Sequence, residues 1–352
     1  MNFAAYRSTS RSRAPSLDSR HMEPQARVRA ALSLGVPDRP PAGWWGHTFR
    51  EEWSSRDLAA VTVARQRAYG WDFVKLQPRA CCFAEAFGSE YRPSGEIGVA
   101  PVLVRPAVTS PEDWSRLPSV DAGVPALRDQ VDALRMVAGE LGPSVPVIQT
   151  VFSPLTVAGY LVAGRGARVV GELRERPQQV GAALERIADV LADFAARSVA
   201  AGAAGIFYAI SGYASEDLLS SEEYQRSVLP HDRRVLASVP EGAWFNVLHL
   251  CGPRIHFELA SALDVQAVSW SVHEPGDPSL AEGRARSGRA VMGGLDQAGT
   301  LVRGSPEAVL EQGRAAVSST DGVGTLLAPG CSVPPQAPEE NLRAVMRSAR
   351  PA

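Results

Sequence analysis

Lysine is almost missing from this chain: of its 36 basic residues only Lys75 is a lysine, and the other 35 are arginine. Against 38 acidic residues they leave a formal charge of −2, so the chain lacks the basic field that holds nucleic acid, and no nucleic-acid partner is expected. Cysteine is scarce too. Four cysteines in 352 residues, at 81, 82, 251 and 331, do not build a disulfide framework and are expected as thiols. No apolar run approaches the ~18 residues that a membrane helix needs, so no membrane partner is expected. The first twenty residues, MNFAAYRSTSRSRAPSLDSR, have no apolar centre of the signal-peptide kind, and a cytoplasmic protein is the expectation.

What is present is an ordinary globular composition, 45% hydrophobic and 21% charged. Residues 1–21 are rich in serine and arginine without apolar period and are read as a disordered tail. Residues 22–352 show no linker or repeat and are read as one domain. Seven short runs of β-branched and aromatic residues recur there: 71–76, 145–151, 204–210, 244–250, 265–270, 289–294 and 325–328. They are apolar throughout, as strands buried on both faces are. Between them Leu127, Val131, Leu134, Val137 and Leu141, then Val180, Leu184, Ile187, Leu191 and Phe194, follow helical spacing. Ser305 before Pro306 reads as a helix cap with proline at the first helical position, Pro338 starts the last helix in the same way, and Gly70 ends a helix that begins near Asp57. Alternating strands and helices over this length predict an α/β fold, a single (β/α)8 TIM barrel. The eighth strand is not evident, and an open doubly wound sheet is the alternative. No Gly-rich phosphate loop follows the first strand, which counts against a dinucleotide-binding fold.

Two of the cysteines carry chemistry. In NVLHLCG (246–252) His249 and Cys251 are two apart at a strand end, so both leave the same face. Cys331 follows the last predicted strand after a Pro-Gly turn. In a barrel the strand ends converge on one mouth, so 80 residues of separation do not keep these groups apart. One imidazole and two thiolates suit Zn2+ with an open fourth position. A core histidine beside buried cysteines is the alternative. Cys81 and Cys82 are adjacent, chelate poorly as a pair, and read as small buried hydrophobes.

Six stretches give the chain a wider likeness: RVRAALSLGVPDRPP (27–41), DFVKLQPRACCFAEAFG (72–88), FSPLTVAGYLVAG (152–164), LSSEEYQRSVLPHDRRVL (219–236), the His-x-Cys-Gly strand end and GCSVPPQAPEENLRAV (330–345). Together they resemble the uroporphyrinogen decarboxylase family, (β/α)8 barrels that include heme-pathway decarboxylases and zinc-dependent corrinoid methyltransferases. The decarboxylases carry an RQAGR segment whose arginines hold substrate carboxylates, and WWGHTFREEW (44–53) stands there instead. Arg79 stands where they carry an aspartate, and Cys331 where they carry a histidine. Only Tyr160 matches a decarboxylase active-site residue. The methyltransferase branch is more similar, with His249, Cys251 and Cys331 as implied zinc ligands and the acceptor thiol as the fourth.

The resemblance therefore implies a zinc-dependent methyltransferase that moves a methyl group between a corrinoid on a separate protein and a small-molecule acceptor, a thiol or a folate. A decarboxylase acting on a tetrapyrrole is the first alternative and a non-catalytic tetrapyrrole or corrinoid carrier the second. Relatives are often dimeric, which implies a homodimer. Tyr160 and His47 are the expected catalytic residues; Trp44, Trp45, Tyr208, Arg79 and Asp296 are the expected substrate contacts. All but Arg79 have a structural alternative: a loop histidine for His47, end-covering rings for Trp44 and Trp45, core tyrosines for Tyr160 and Tyr208, a helix cap for Asp296. His273 and Glu274 stand at a strand end as an acid/base or metal-supporting pair, or as a solvated loop. His231 and His256 read as structural.

Overall fold

The computed structural model describes residues 21–350; the tail expected over 1–21 falls, His21 apart, outside the described residues. Among the described residues nine strands occur in chain order: β1 Val74–Leu76, β2 Glu90–Arg92, β3 Val102–Arg105, β4 Val147–Phe152, β5 Gly205–Ser211, β6 Val247–Cys251, β7 Ala267–Ser269, β8 Ala290–Leu295 and β9 Thr325–Pro329. Seven of them form one parallel sheet in the order β1-β4-β5-β6-β7-β8-β9, while β2 and β3 pair as a separate antiparallel hairpin. Each expected run yields one strand of the parallel sheet.

The eighth position of the barrel is a stub. Ala42 makes a single parallel bridge with Leu327 of β9. The Leu327 amide donates to the Pro41 carbonyl at 2.9 Å, and the Asp72 amide, just ahead of β1, donates to the Ala42 carbonyl at 2.9 Å. Segment 41–43 thus lies between the two edge strands and joins them. Prolines at 40 and 41 have no N–H to offer a ladder, which limits the pairing to this length.

The helices form where spacing and caps place them. Pro125–Leu141 buries Leu127, Val131, Leu134 and Val137, and Pro177–Ala200 buries Val180, Leu184, Ile187, Leu191 and Phe194. Ser305 accepts from the Ala308 amide at 3.3 Å ahead of helix Pro306–Ser318. Pro338 is itself the cap of Glu339–Ser348 rather than its first residue. Gly70, at φ 69°, ends Ser55–Tyr69 in the left-handed region. Among the described residues no helix is long and apolar enough to cross a membrane.

Candidate metal centre

Strand register decides which side chains enter the barrel. Residues paired in a parallel sheet share a face, and β5 pairs Ala209 with His249 and Ser211 with Cys251. His249 and Cys251 therefore leave β6 on one side, and Gly252 follows at φ 118°, a conformation open to glycine and costly for any other residue. Cys331 is delivered by the turn after β9. The Gly330 amide donates to the Leu295 carbonyl at 2.9 Å, and a Cβ on Gly330 would stand 2.6 Å from the Ser271 Cα, so only glycine lets this turn lie against the end of β7.

The three side chains meet as the sequence predicts. The donor atoms of His249, Cys251 and Cys331 lie within 4.8 Å of one another, and the two sulfurs are 3.6 Å apart. Both are free thiols. Two sulfurs each ~2.3 Å from a tetrahedral ion are about 3.8 Å apart, so this spacing and the soft donor set fit Zn2+. Nδ1 of His249 is 3.2 Å from the Ser269 hydroxyl, which pairs with it across β6 and β7 and leaves Nε2 as the free donor. The thiols act as a pair. The Cys251 S–H, followed by the His249 ring, holds the Cys331 thiol well below its ordinary range, and the bond to Cys331 together with burial pushes Cys251 well above.

A second polar group fills the lumen beside this centre. Nζ of Lys75 donates to Oε1 of Gln77, and Gln77 Nε2 is 2.9 Å from His47 Nε2. His47 Nδ1 is 2.9 Å from the buried carboxylate of Glu52 and its ring stacks on Phe49. Lys75 Nζ lies 4.9 Å from the centroid of Phe207, whose ring lies 4.9 Å from that of His249. Burial pushes the Lys75 amine down to about 7.

The remaining expected residues divide. Trp45 turns into the lumen, 5.3 Å from Phe207. Tyr160 is half-buried beyond β4, stacked on Phe152 with the Arg165 guanidinium 3.7 Å above its ring. Four expected substrate contacts have other partners in the structure. Trp44 packs edge-on against Tyr69 and Trp71, beneath helix 55–69 and outside the lumen. Tyr208 pairs with Leu248, the face opposite His249, and its hydroxyl donates to Asp232 at 2.6 Å. Arg79 is consumed by Glu85 at 2.5 Å, the Glu52 carbonyl and the Trp53 ring. Asp296 accepts the Gly299 amide at 2.8 Å and so closes its own turn. His273 Nε2 is spent on the Gly294 carbonyl and His256 on the Leu219 carbonyl. Cys81 and Cys82 are buried, as expected, Cys81 as the N-cap and Cys82 as the first residue of a one-turn helix Cys82–Glu85.

A parallel α/β barrel with an imidazole and two thiols at the C-terminal ends of its strands is the architecture of a barrel enzyme. The chain belongs to the uroporphyrinogen decarboxylase (URO-D) family, whose model matches residues 45–351. The methylcobamide:CoM methyltransferase MtbA of Methanosarcina acetivorans is 25% identical over 93% of this chain and 97% of its own. A uroporphyrinogen decarboxylase of Rhodococcus erythropolis is 34% identical over 57% of this chain and 55% of its own. Among solved structures, a methyltransferase from Methanosarcina mazei superposes with a TM-score of 0.78 at 21% identity, covering 94% of this chain and 98% of that one, and shares the fold.

Proposed function

We propose that residues 22–352 act as one barrel unit, a zinc-dependent methyltransferase that moves a methyl group from a corrinoid on a separate protein to a thiol. The observation that carries this reading is the convergence of His249, Cys251 and Cys331 at the barrel mouth. It is supported by alignment with a methylcobamide:CoM methyltransferase along nearly the whole chain. Zinc, when bound there, supplies Lewis acidity softened by two thiolates, so that an acceptor thiol loses its proton yet stays nucleophilic. The protein's own groups do the rest. Ser269 orients the His249 ring, the two cysteines fix where the acceptor sulfur sits, and Trp45 and Phe207 wall the lumen with apolar surface. A corrinoid carried on a separate protein is in keeping with the methylcobamide:CoM methyltransferases that this chain resembles. A folate acceptor is the variant of the same reading.

The Rhodococcus likeness favours a second reading, decarboxylation of a tetrapyrrole. It requires arginines for the substrate carboxylates, and Arg79 is already committed to Glu85. Metal analysis of the purified protein is the first test: about one zinc per chain is expected, lost in Cys251→Ser and in Cys331→Ser. Protein without stoichiometric zinc sinks the proposal. Transfer from methylcobalamin to coenzyme M, run beside a decarboxylation assay, separates the two enzyme readings, and tetrapyrrole binding with neither activity marks a carrier.

A further inference from the structure

Lys75, the one lysine among 36 basic residues, lies inside the barrel, on the face of β1 that meets Phe207. Arginine stays charged at any pH a protein meets, whereas a buried lysine takes up and gives off its proton. Lys75 is 8% exposed, its hydrogen-bond partner Gln77 is a neutral amide, and the rings of Phe207 and Trp45 lie 4.9 and 5.6 Å from Nζ. Phe207 also lies against His249, so a single aromatic ring touches both the amine and a residue of the metal centre. The charged or titratable groups facing Lys75 are the Cys331 thiol after β9 and the Glu52 carboxylate in the turn Glu51–Trp53, with His47 beyond Gln77.

Charge balance gives this placement a purpose. Two cysteine thiolates neutralise a zinc ion, and an acceptor thiolate added to them leaves one uncompensated negative charge in the barrel interior. Interiors tolerate such a charge only when it is paired. We propose that Lys75 is the counter-charge of the thiol-loaded centre and retains the acceptor's proton within the protein. As the thiol enters, its S–H bond breaks, the sulfur keeps the electron pair, and the proton ends in a new N–H bond on the Lys75 amine. Burial supplies the neutral amine this needs near neutral pH, and the arriving negative charge then favours the ammonium. Lys75 takes up the proton without ligating the acceptor sulfur, and from then on it holds the thiolate by its charge, so it is a positioning residue. The inference rests on the reading that zinc and a thiol meet at His249, Cys251 and Cys331.

A chain with one lysine offers a test that needs no substitution. Protein grown on lysine labelled with carbon-13 at Cε gives one side-chain signal, whose shift reads the protonation of Lys75. Zinc-loaded protein is titrated with coenzyme M at about pH 8, above the lowered range of the amine and below that of an ordinary lysine. Zinc content and thiol binding are followed in the same sample. The signal is expected to move from the amine towards the ammonium position as the thiol saturates. Calorimetry in buffers of different ionisation enthalpy is expected to show fewer protons released by the native protein than by Lys75→Met, which binds the thiol about tenfold more weakly. A signal that stays in place while the thiol binds overturns the proposal. Protein that holds no zinc or binds no thiol takes the proposal down together with the reading beneath it.

Discussion

Ala42 and Asp72 hold each other twice: the Ala42 amide donates to the Asp72 carboxylate at 2.8 Å, and the Asp72 amide donates back to the Ala42 carbonyl at 2.9 Å. The same carboxylate takes Arg27 and Arg39 at 2.6 Å each. A side chain thus replaces most of the ladder that a one-residue strand fails to supply at the seam between β9 and β1. Asp72→Asn keeps the shape and leaves two guanidiniums facing a neutral amide, one of them fully buried. Arg27 keeps its ion pair with Asp38 at 2.7 Å, so its charge is not orphaned, and a loss of roughly 1–3 kcal/mol is expected. Denaturant unfolding with an unchanged midpoint would show that the seam does not depend on this charge.

Ser269 is the group that meets Nδ1 of the His249 ring, at 3.2 Å. Partners of this kind fix the tautomer and orientation of a metal-binding histidine. Ser269→Ala is expected to lower zinc affinity about 10- to 100-fold while leaving the fold intact, since the hydroxyl is small and has no other partner here. Competition against a chelator of known affinity reads the change, and equal affinity in the two proteins rules the role out.

Asp232 gives the protein a pH dependence that can be signed. The Tyr208 and Tyr224 hydroxyls donate to it at 2.6 and 2.7 Å, yet burial still pushes its carboxyl up to about 7. The folded state therefore holds the proton more tightly than the unfolded chain does. Its contribution to stability is full below the unfolded pKa of about 4, is lost as pH rises towards 7, and is flat above that. Asp232→Asn removes this slope. Melting temperatures of both proteins across that window check it, and curves that run parallel refute the assignment.

Much of the fold was legible because buried parallel strands are written as continuous apolar runs, and all seven runs became strands. The eighth was not legible, since one bridging residue beside two prolines has no periodicity to read. The hairpin of β2 and β3 was missed for a related reason: its strands span three and four residues and leave Val102 and Val104 exposed. At the site, His249 and Cys251 were found by their two-residue spacing and Cys331 by its place after the last strand. Ser269 and Gln77 left no signal, because a serine or an amide at a strand end is common. Lys75 did leave one in its rarity, but which face of β1 it occupies comes from the register. Tyr208 shows the opposite failure. A substrate contact there needs Tyr208 to face inward, which depends on the phase of β5, and a shift of one residue moves a side chain to the other face of a strand.

The interior position of the only lysine also shapes how the molecule behaves as a colloid. Its surface cations are all arginines, whose guanidiniums keep their protons to beyond pH 12. A lysine-rich protein of similar composition grows steadily more negative in alkaline buffer and so repels its own copies. This one is left with cysteine and tyrosine ionisation to change its charge there, and much of that is opposed by burial. Raising the pH moderately above neutral is therefore a weak lever on its solubility, and salt or added ligands are the stronger ones.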